Sequence, residues 1–268
     1  MTDSFVRGAI SNVFTAWDDQ GRFHEDGQRN LLDYLYDAGS ISMYFVRSGM
    51  GQMYAYEYDD VKKMAALACK HMAGRGPVMV GTAGIWDKNY DKRPDPAVFT
   101  RQAVELSQFA EQQGAVGVVH TMPEAIVPGE GESHSDVILR YFEQISNAVN
   151  VPIILYQPPV TRPEYCVSME LAERLAEIPR VRAMKVSTVD AQLIYNLCYV
   201  MVPRGFEFIA GSECAFLAAL YAGASACIGQ GCTLNPVTVK AIQDCYEAGD
   251  QQGAIDAQRS TNYLVEIG

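Results

Sequence analysis

The sequence predicts an α/β protein of the (β/α)8 TIM barrel class, with the start of a C-terminal helical extension. Three observations predict it. Short apolar runs alternate with stretches of helical period along nearly the whole chain. The runs are apolar on consecutive residues, as strands buried on both faces are. Eight such strand-plus-helix units fit within 268 residues, the number that closes into a barrel. An open doubly wound sheet is the competing architecture. Against it, no Gly-x-Gly-x-x-Gly follows the first strand, and the segment Arg47–Gln52 offers only Gly-x-Gly after the second.

The elements follow in order. Gly8–Phe14 reads as a strand ended by the polar segment 18–21, and Asp26–Ala38 as a helix with Gly39 as its stop. Ser42–Val46 is a strand running into the glycine-bearing turn Ser48–Gln52, and Asp59–Ala73 a helix with an acidic start. Pro77–Ala83 is a strand, followed by a charged excursion over 86–94 and the helix Asp95–Gln113. Gly117–Met122 is a strand, 123–132 a loop rich in Gly, Pro and Glu, and Ser135–Val149 a helix. Strands at Pro152–Gln157, Val181–Val186, Phe206–Ala210 and Ala224–Gly229 alternate with helices at Ser168–Ile178, Asp190–Met201, Glu213–Ala222 and Asn235–Ala248. Gly253–Ile267 is a further helical segment. The barrel is expected over residues 1–250 and the beginning of a C-terminal helical segment, truncated or short, over 251–268.

The bulk properties exclude several function classes. A net charge of −11 argues against a nucleic-acid or anionic-membrane partner, since both require a basic face. The first residues lack the basic start and apolar core of a signal peptide, and no apolar run reaches the roughly 18 residues a membrane helix needs. Seven cysteines, an odd number without a Cys-x-x-Cys pair, read as reduced thiols in a cytoplasmic protein without zinc or iron–sulfur ligation. No metal and no cofactor are expected.

In a barrel the chemistry sits at the C-terminal ends of the strands. Lys185 stands out there, because it alone among the lysines interrupts an apolar strand. A buried lysine is unfavourable unless deprotonated or paired, and the neutral amine is the form that attacks a ketone. It could instead point outward near the strand end. Tyr156 lies near the end of the preceding strand. Alone it reads as core; beside an imine-forming lysine its hydroxyl can relay protons at the carbinolamine. The amides of Ser48-Gly49-Met50 could hold a carboxylate as an anion nest, or form no more than a tight turn. Arg47 and Arg162 are each placed to pair a substrate carboxylate, Arg162 more so because it follows the fifth strand. His120 and Glu124 could suggest a metal site, but two ligand types across a turn form a weak constellation.

At these positions the sequence resembles the dihydrodipicolinate synthase / N-acetylneuraminate lyase family of class I pyruvate-type aldolases. The resemblance covers nearly the whole chain. It rests on Gly8-Ala-Ile with Phe14-Thr15, the turn after the second strand, Leu155-Tyr156-Gln-Pro-Pro159, Met184-Lys185, Gly211-Ser-Glu213 and Gly223–Gly229. It implies Lys185 as the imine-forming residue and Tyr156 as proton relay. It implies that the amides around Gly49 and Met50 hold the carboxylate of the 2-oxo acid; Ser48, Arg162, Gly211, Ser212 and Ile228 are the further candidate substrate-binding residues. It also implies a homo-oligomer, tetramer or dimer.

Three departures stand out. The turn lacks the family's central hydroxyl residues and final Glu. Met122-Pro-Glu-Ala125 lacks the tyrosine that synthases lend to a neighbouring subunit. Thr161 stands where synthases place an arginine, with Arg162 one residue later. The excursion over 87–94 is longer than usual and reads as a lid or subunit contact.

The expectation is a Schiff-base-forming lyase, aldolase or dehydratase. Its substrates would be pyruvate or a related 2-oxo acid with an aldehyde or sugar-acid partner. The competing readings are a catalytically weak barrel that binds a 2-oxo or sugar acid, dihydrodipicolinate synthase proper, and a metal-dependent enzyme using His120.

Overall fold

The computed structural model describes residues 4–266. Eight parallel strands close in sequence order into a barrel. They are β1 (Gly8–Asn12), β2 (Met43–Val46), β3 (Val78–Gly81), β4 (Gly117–Thr121), β5 (Ile153–Gln157), β6 (Val181–Val186), β7 (Glu207–Ala210) and β8 (Ala226–Cys227). The helices after the first seven strands are α1 (Glu25–Asp37), α2 (Tyr58–His71), α3 (Pro96–Gln112), α4 (His134–Ser146), α5 (Met169–Ala176), α6 (Ala191–Met201) and α7 (Phe216–Ala222). After β8 come α8 (Gly231–Leu234), α9 (Pro236–Glu247) and α10 (Gln251–Glu266).

Local chemistry sets these bounds. Asp95 accepts from two first-turn amides of α3 with Pro96 at its first position, and Ser133 and Asp136 form a reciprocal capping box on α4. Gly223 closes α7 at φ 106°, a left-handed position that glycine takes without strain.

The strands separate two layers of core. Alternate residues such as Ile10, Phe45, Val119, Ile154, Ala183 and Ile209 fill the barrel interior. Their neighbours Val118, Leu155, Met184 and Phe208 pack outward with the apolar faces of the helices. Both layers are fully buried, which is why the strands carry no polar–apolar alternation.

Two expectations are corrected at the closing edge. The eighth strand holds two residues rather than Ala224–Gly229, and the short helix α8 follows it unforeseen. Past it the chain runs close to β7: Ile228 N donates to the Ala210 carbonyl, and Gly229 packs so tightly on Glu213 that a Cβ there would lie 1.8 Å from Oε2. The last helix begins two residues before Gly253; Ile267, its expected end, lies outside the described residues. Among the described residues no helix is long and apolar enough to cross a membrane.

Candidate active site

Parallel pairing of β5 with β6 sets Tyr156 directly opposite Lys185. Both follow inward-facing residues by two, Ile154 and Ala183, so both side chains turn into the barrel at its C-terminal mouth. Tyr156 is 5% exposed and Lys185 4%. Lys185 Nζ stands 4.2 Å from the centre of the Tyr156 ring. Among the described residues Lys185 has no salt-bridge partner, although a buried lysine ordinarily has one. Its surroundings are an aromatic face and a cavity of about 700 Å3.

The turn after β2 closes over the tyrosine. A Cβ on Gly49 would lie 2.9 Å from Tyr156 Oη, so glycine lets the phenol come to rest against the turn. Ser48 Oγ accepts from the Gly51 amide and donates to the Val13 carbonyl, pinning the turn to the end of β1. Arg47 and Gln52 flank it with φ of 49° and 57°, left-handed positions that non-glycine residues hold only under constraint. Between them, among the described residues, the Gly49 and Met50 amides donate to no protein group. A turn with two free amides at a cavity wall is chemically an anion-binding concavity.

The structure places the expected residues unevenly. Gly49, Met50, Tyr156, Lys185, Gly211, Ser212 and Ile228 all line the cavity. Gly211 is there because a Cβ would stand 2.4 Å from the Val186 carbonyl at the end of β6. Ser48 supports the turn from behind and does not line the cavity. Arg162 is absent from the lining as well. Its guanidinium lies 3.8 Å over the Tyr90 ring, and its backbone amide donates to Glu124. Arg47 is 3% exposed and spends its donors on the Met53, Gly81 and Ala83 carbonyls. Burial lowers its pKa to about 10. It braces the turn rather than meeting a ligand.

His120 and Glu124 go to separate places. His120 Nε2 lies 3.0 Å from both Thr82 Oγ1 and Ser107 Oγ, and Nδ1 lies 2.9 Å from Tyr141 Oη, in the layer between the strands and α3 and α4. Burial pushes its pKa down to about 3, with the Arg47 charge a lesser cause. Glu124 anchors the 87–94 excursion. It accepts from Tyr90 Oη at 2.8 Å, and Lys88 Nζ stands 2.9 Å away as an ion pair, off the line of a hydrogen bond. The excursion is thereby docked onto the loop after β4.

Asn12 and Tyr54 are cavity residues that escaped the sequence reading, and Glu213 entered it only as part of the Gly211-Ser-Glu213 motif. Asn12 ends β1 and is 2% exposed. Glu213 is 3% exposed and accepts from the Gly231 amide at 2.6 Å. Tyr54 has a buried hydroxyl without a partner among the described residues, and burial raises its pKa. An asparagine or tyrosine near a strand end gives no sign of which way it faces. Glu213 had a signal, since it follows Gly211-Ser212 at the end of β7.

Comparison with known proteins adds the decisive observation: the profile of the Dihydrodipicolinate synthetase family matches residues 5–267. The chain belongs to that family. As a member it is an enzyme of the lyase class. Its curated relatives include a 4-hydroxy-tetrahydrodipicolinate synthase of Dechloromonas aromatica (strain RCB). That protein is 27% identical over 218 residues, covering 81% of this chain and 68% of the relative. Among solved structures, YagE is described as a prophage protein of the dihydrodipicolinic acid synthase family from E. coli K12, in complex with pyruvate. It superimposes with a TM-score of 0.83 at 22% identity, covering 98% of this chain and 83% of that one. N-acetylneuraminate lyase from Mycoplasma synoviae gives a TM-score of 0.81 at 19% identity, covering 99% and 82%. At such identities the two structures bear on the fold alone, and the fold they share is this barrel.

Proposed function

We propose that the chain is a class I lyase that forms an imine between Lys185 and a 2-oxo acid of the pyruvate type. It then makes or breaks a carbon–carbon bond, or eliminates water, with an aldehyde or sugar-acid partner. The observation that carries the reading is the in-register pair Tyr156–Lys185 at the cavity wall, with the free Gly49 and Met50 amides beside it.

The neutral Lys185 amine attacks the C2 carbonyl, and Tyr156 moves a proton from nitrogen to oxygen to give the carbinolamine. Tyr156 then protonates the hydroxyl, which leaves as water, and the nitrogen lone pair forms the iminium. The resulting phenolate takes a proton from the substrate hydroxyl. In the cleavage direction the carbon–carbon electron pair flows into the iminium and leaves an enamine. The free amides of the turn hold the carboxylate throughout, with Ser212, Gly211 and Ile228 shaping the wall. Arg162 stacks on Tyr90 and lies off the lining, which favours a partner other than that of dihydrodipicolinate synthase proper.

We further propose a homo-oligomer, on the exposure of Tyr195 (49%) and Tyr199 (81%) along α6. A cytoplasmic location is proposed on the free, buried thiols of Cys69, Cys198, Cys227 and Cys232.

The test needs no second substrate. Pyruvate incubated with the enzyme in heavy water is expected to lose its methyl protons to deuterium through the enamine, read by proton NMR. Loss of that exchange in Lys185→Ala supports the reading; absence of exchange with the unaltered protein overturns it.

A further inference from the structure

Asn12 is nearly sealed from solvent and yet lines the cavity. Its amide is held in one orientation. Thr233 Oγ1, on α8, donates to Asn12 Oδ1 at 2.7 Å. Ser11 Oγ lies 3.0 Å from the same Thr233 oxygen and so supplies the proton Thr233 accepts. All three residues are buried. With Oδ1 committed, Nδ2 is the end left over, and among the described residues it donates to no protein group. A donor fixed in orientation by its neighbours and left open at a cavity wall is placed to meet a ligand.

The position says which part of a ligand. Asn12 pairs with Phe45 across β1 and β2, and Ser48 is tied to the Val13 carbonyl next in chain. The turn carrying the free Gly49 and Met50 amides therefore stands over the end of β1. Asn12 and those two residues line one cavity. Among the described lining residues Lys185 is the one basic side chain, and no arginine is present. Lysine committed to an imine cannot pair the carboxylate of its own substrate, so neutral donors must hold it.

We infer that Asn12 is a further substrate-binding residue, whose side-chain amide donates to the carboxylate of the 2-oxo acid seated on the turn after β2. The inference rests on the functional reading above. It also names the group that replaces hydroxyl side chains in this turn, where Gly49 and Met50 have none to offer.

The experiment compares two carbonyl compounds that differ in the carboxylate. Borohydride trapping at Lys185 is measured by peptide mass against increasing pyruvate and, separately, increasing acetaldehyde. Asn12→Asp turns the donor into an acceptor that repels a carboxylate, and the half-saturating pyruvate concentration is expected to rise about 10-fold or more. Acetaldehyde, which has no carboxylate, should trap at its unaltered concentration. Asn12→Leu, an apolar side chain of similar size, is expected to give the same selective loss without a new buried charge. A pyruvate concentration that stays within about twofold in both variants, or an equal rise for both carbonyls, overturns the assignment of Asn12. Failure of the unaltered protein to trap pyruvate overturns the functional reading, and this inference with it.

Discussion

Two buried polar sites lie on neighbouring parts of the barrel, and they differ in what they leave unsatisfied. His120 on β4 has both ring nitrogens within hydrogen-bond reach of hydroxyls and faces the helices. Lys185 on β6 has an aromatic face, a cavity and, among the described residues, no counter-ion. Both are buried polar side chains in apolar strands. The difference teaches that burial alone does not mark a site; unspent bonding capacity at a cavity does. His120 is a cross-tie between strand and helix layers, and Lys185, like Asn12, keeps bonding capacity open to the cavity, which is what the proposed reaction requires.

The comparison breaks first at Lys185. Lys185→Arg keeps a cation in place but cannot form an imine, so pyruvate exchange is expected to fall at least about 10³-fold with little change in melting temperature. Activity close to the unaltered level would remove the lysine from the chemistry. Tyr156→Phe keeps the ring beneath Lys185 and deletes the relay. A fall of about 10²-fold in the exchange rate is expected, with trapping at long incubation still reaching Lys185.

The His120 side should behave in the opposite way. His120→Leu leaves three hydroxyls short of a partner, and about 3 kcal/mol of stability is expected to go in urea unfolding. Trapping on Lys185 in the folded fraction should be unchanged; a selective loss of trapping would contradict the cross-tie.

The same histidine gives a pH signature. Its folded pKa, about 3, lies below its ordinary 6.5. The unfolded chain therefore binds the proton more readily, and folding stability rises with pH across that window. His120 contributes fully above about pH 6.5 and loses roughly 1 kcal/mol per unit as pH falls toward 3. His120→Leu should flatten that part of the profile, read by urea unfolding at stepped pH.

The smallest expected effect is at Tyr54, whose hydroxyl is buried without a partner among the described residues. Tyr54→Phe should leave the protein as stable or raise its stability by about 1 kcal/mol. A loss of stability would show that the hydroxyl has a structural partner after all.

How much of this was legible in the sequence follows from the same physics. The eight units and their order could be read because period and turn residues are local. Lys185 could be read because a charge in an apolar run is conspicuous wherever it points, and Tyr156 because it sits one strand earlier. Parity could not be read. With both faces of every strand buried, nothing in Gly117-Val-Val-His-Thr121 says that His120 faces the helices and Val119 the barrel. Asn12 was silent for the same reason. Arg162 was correctly placed past β5, but its side chain is claimed by Tyr90, a residue from a loop two strands away. The two-residue β8 and the close approach of Gly229 to Glu213 are tertiary features that no local pattern announces.

One measurement meets the central claim most directly. The protein is reduced with borohydride in the presence of pyruvate, digested, and its lysines mapped by mass. The expected result is one reduced pyruvate adduct per chain, on Lys185 alone. An adduct on a surface lysine, or no adduct at saturating pyruvate, would contradict it.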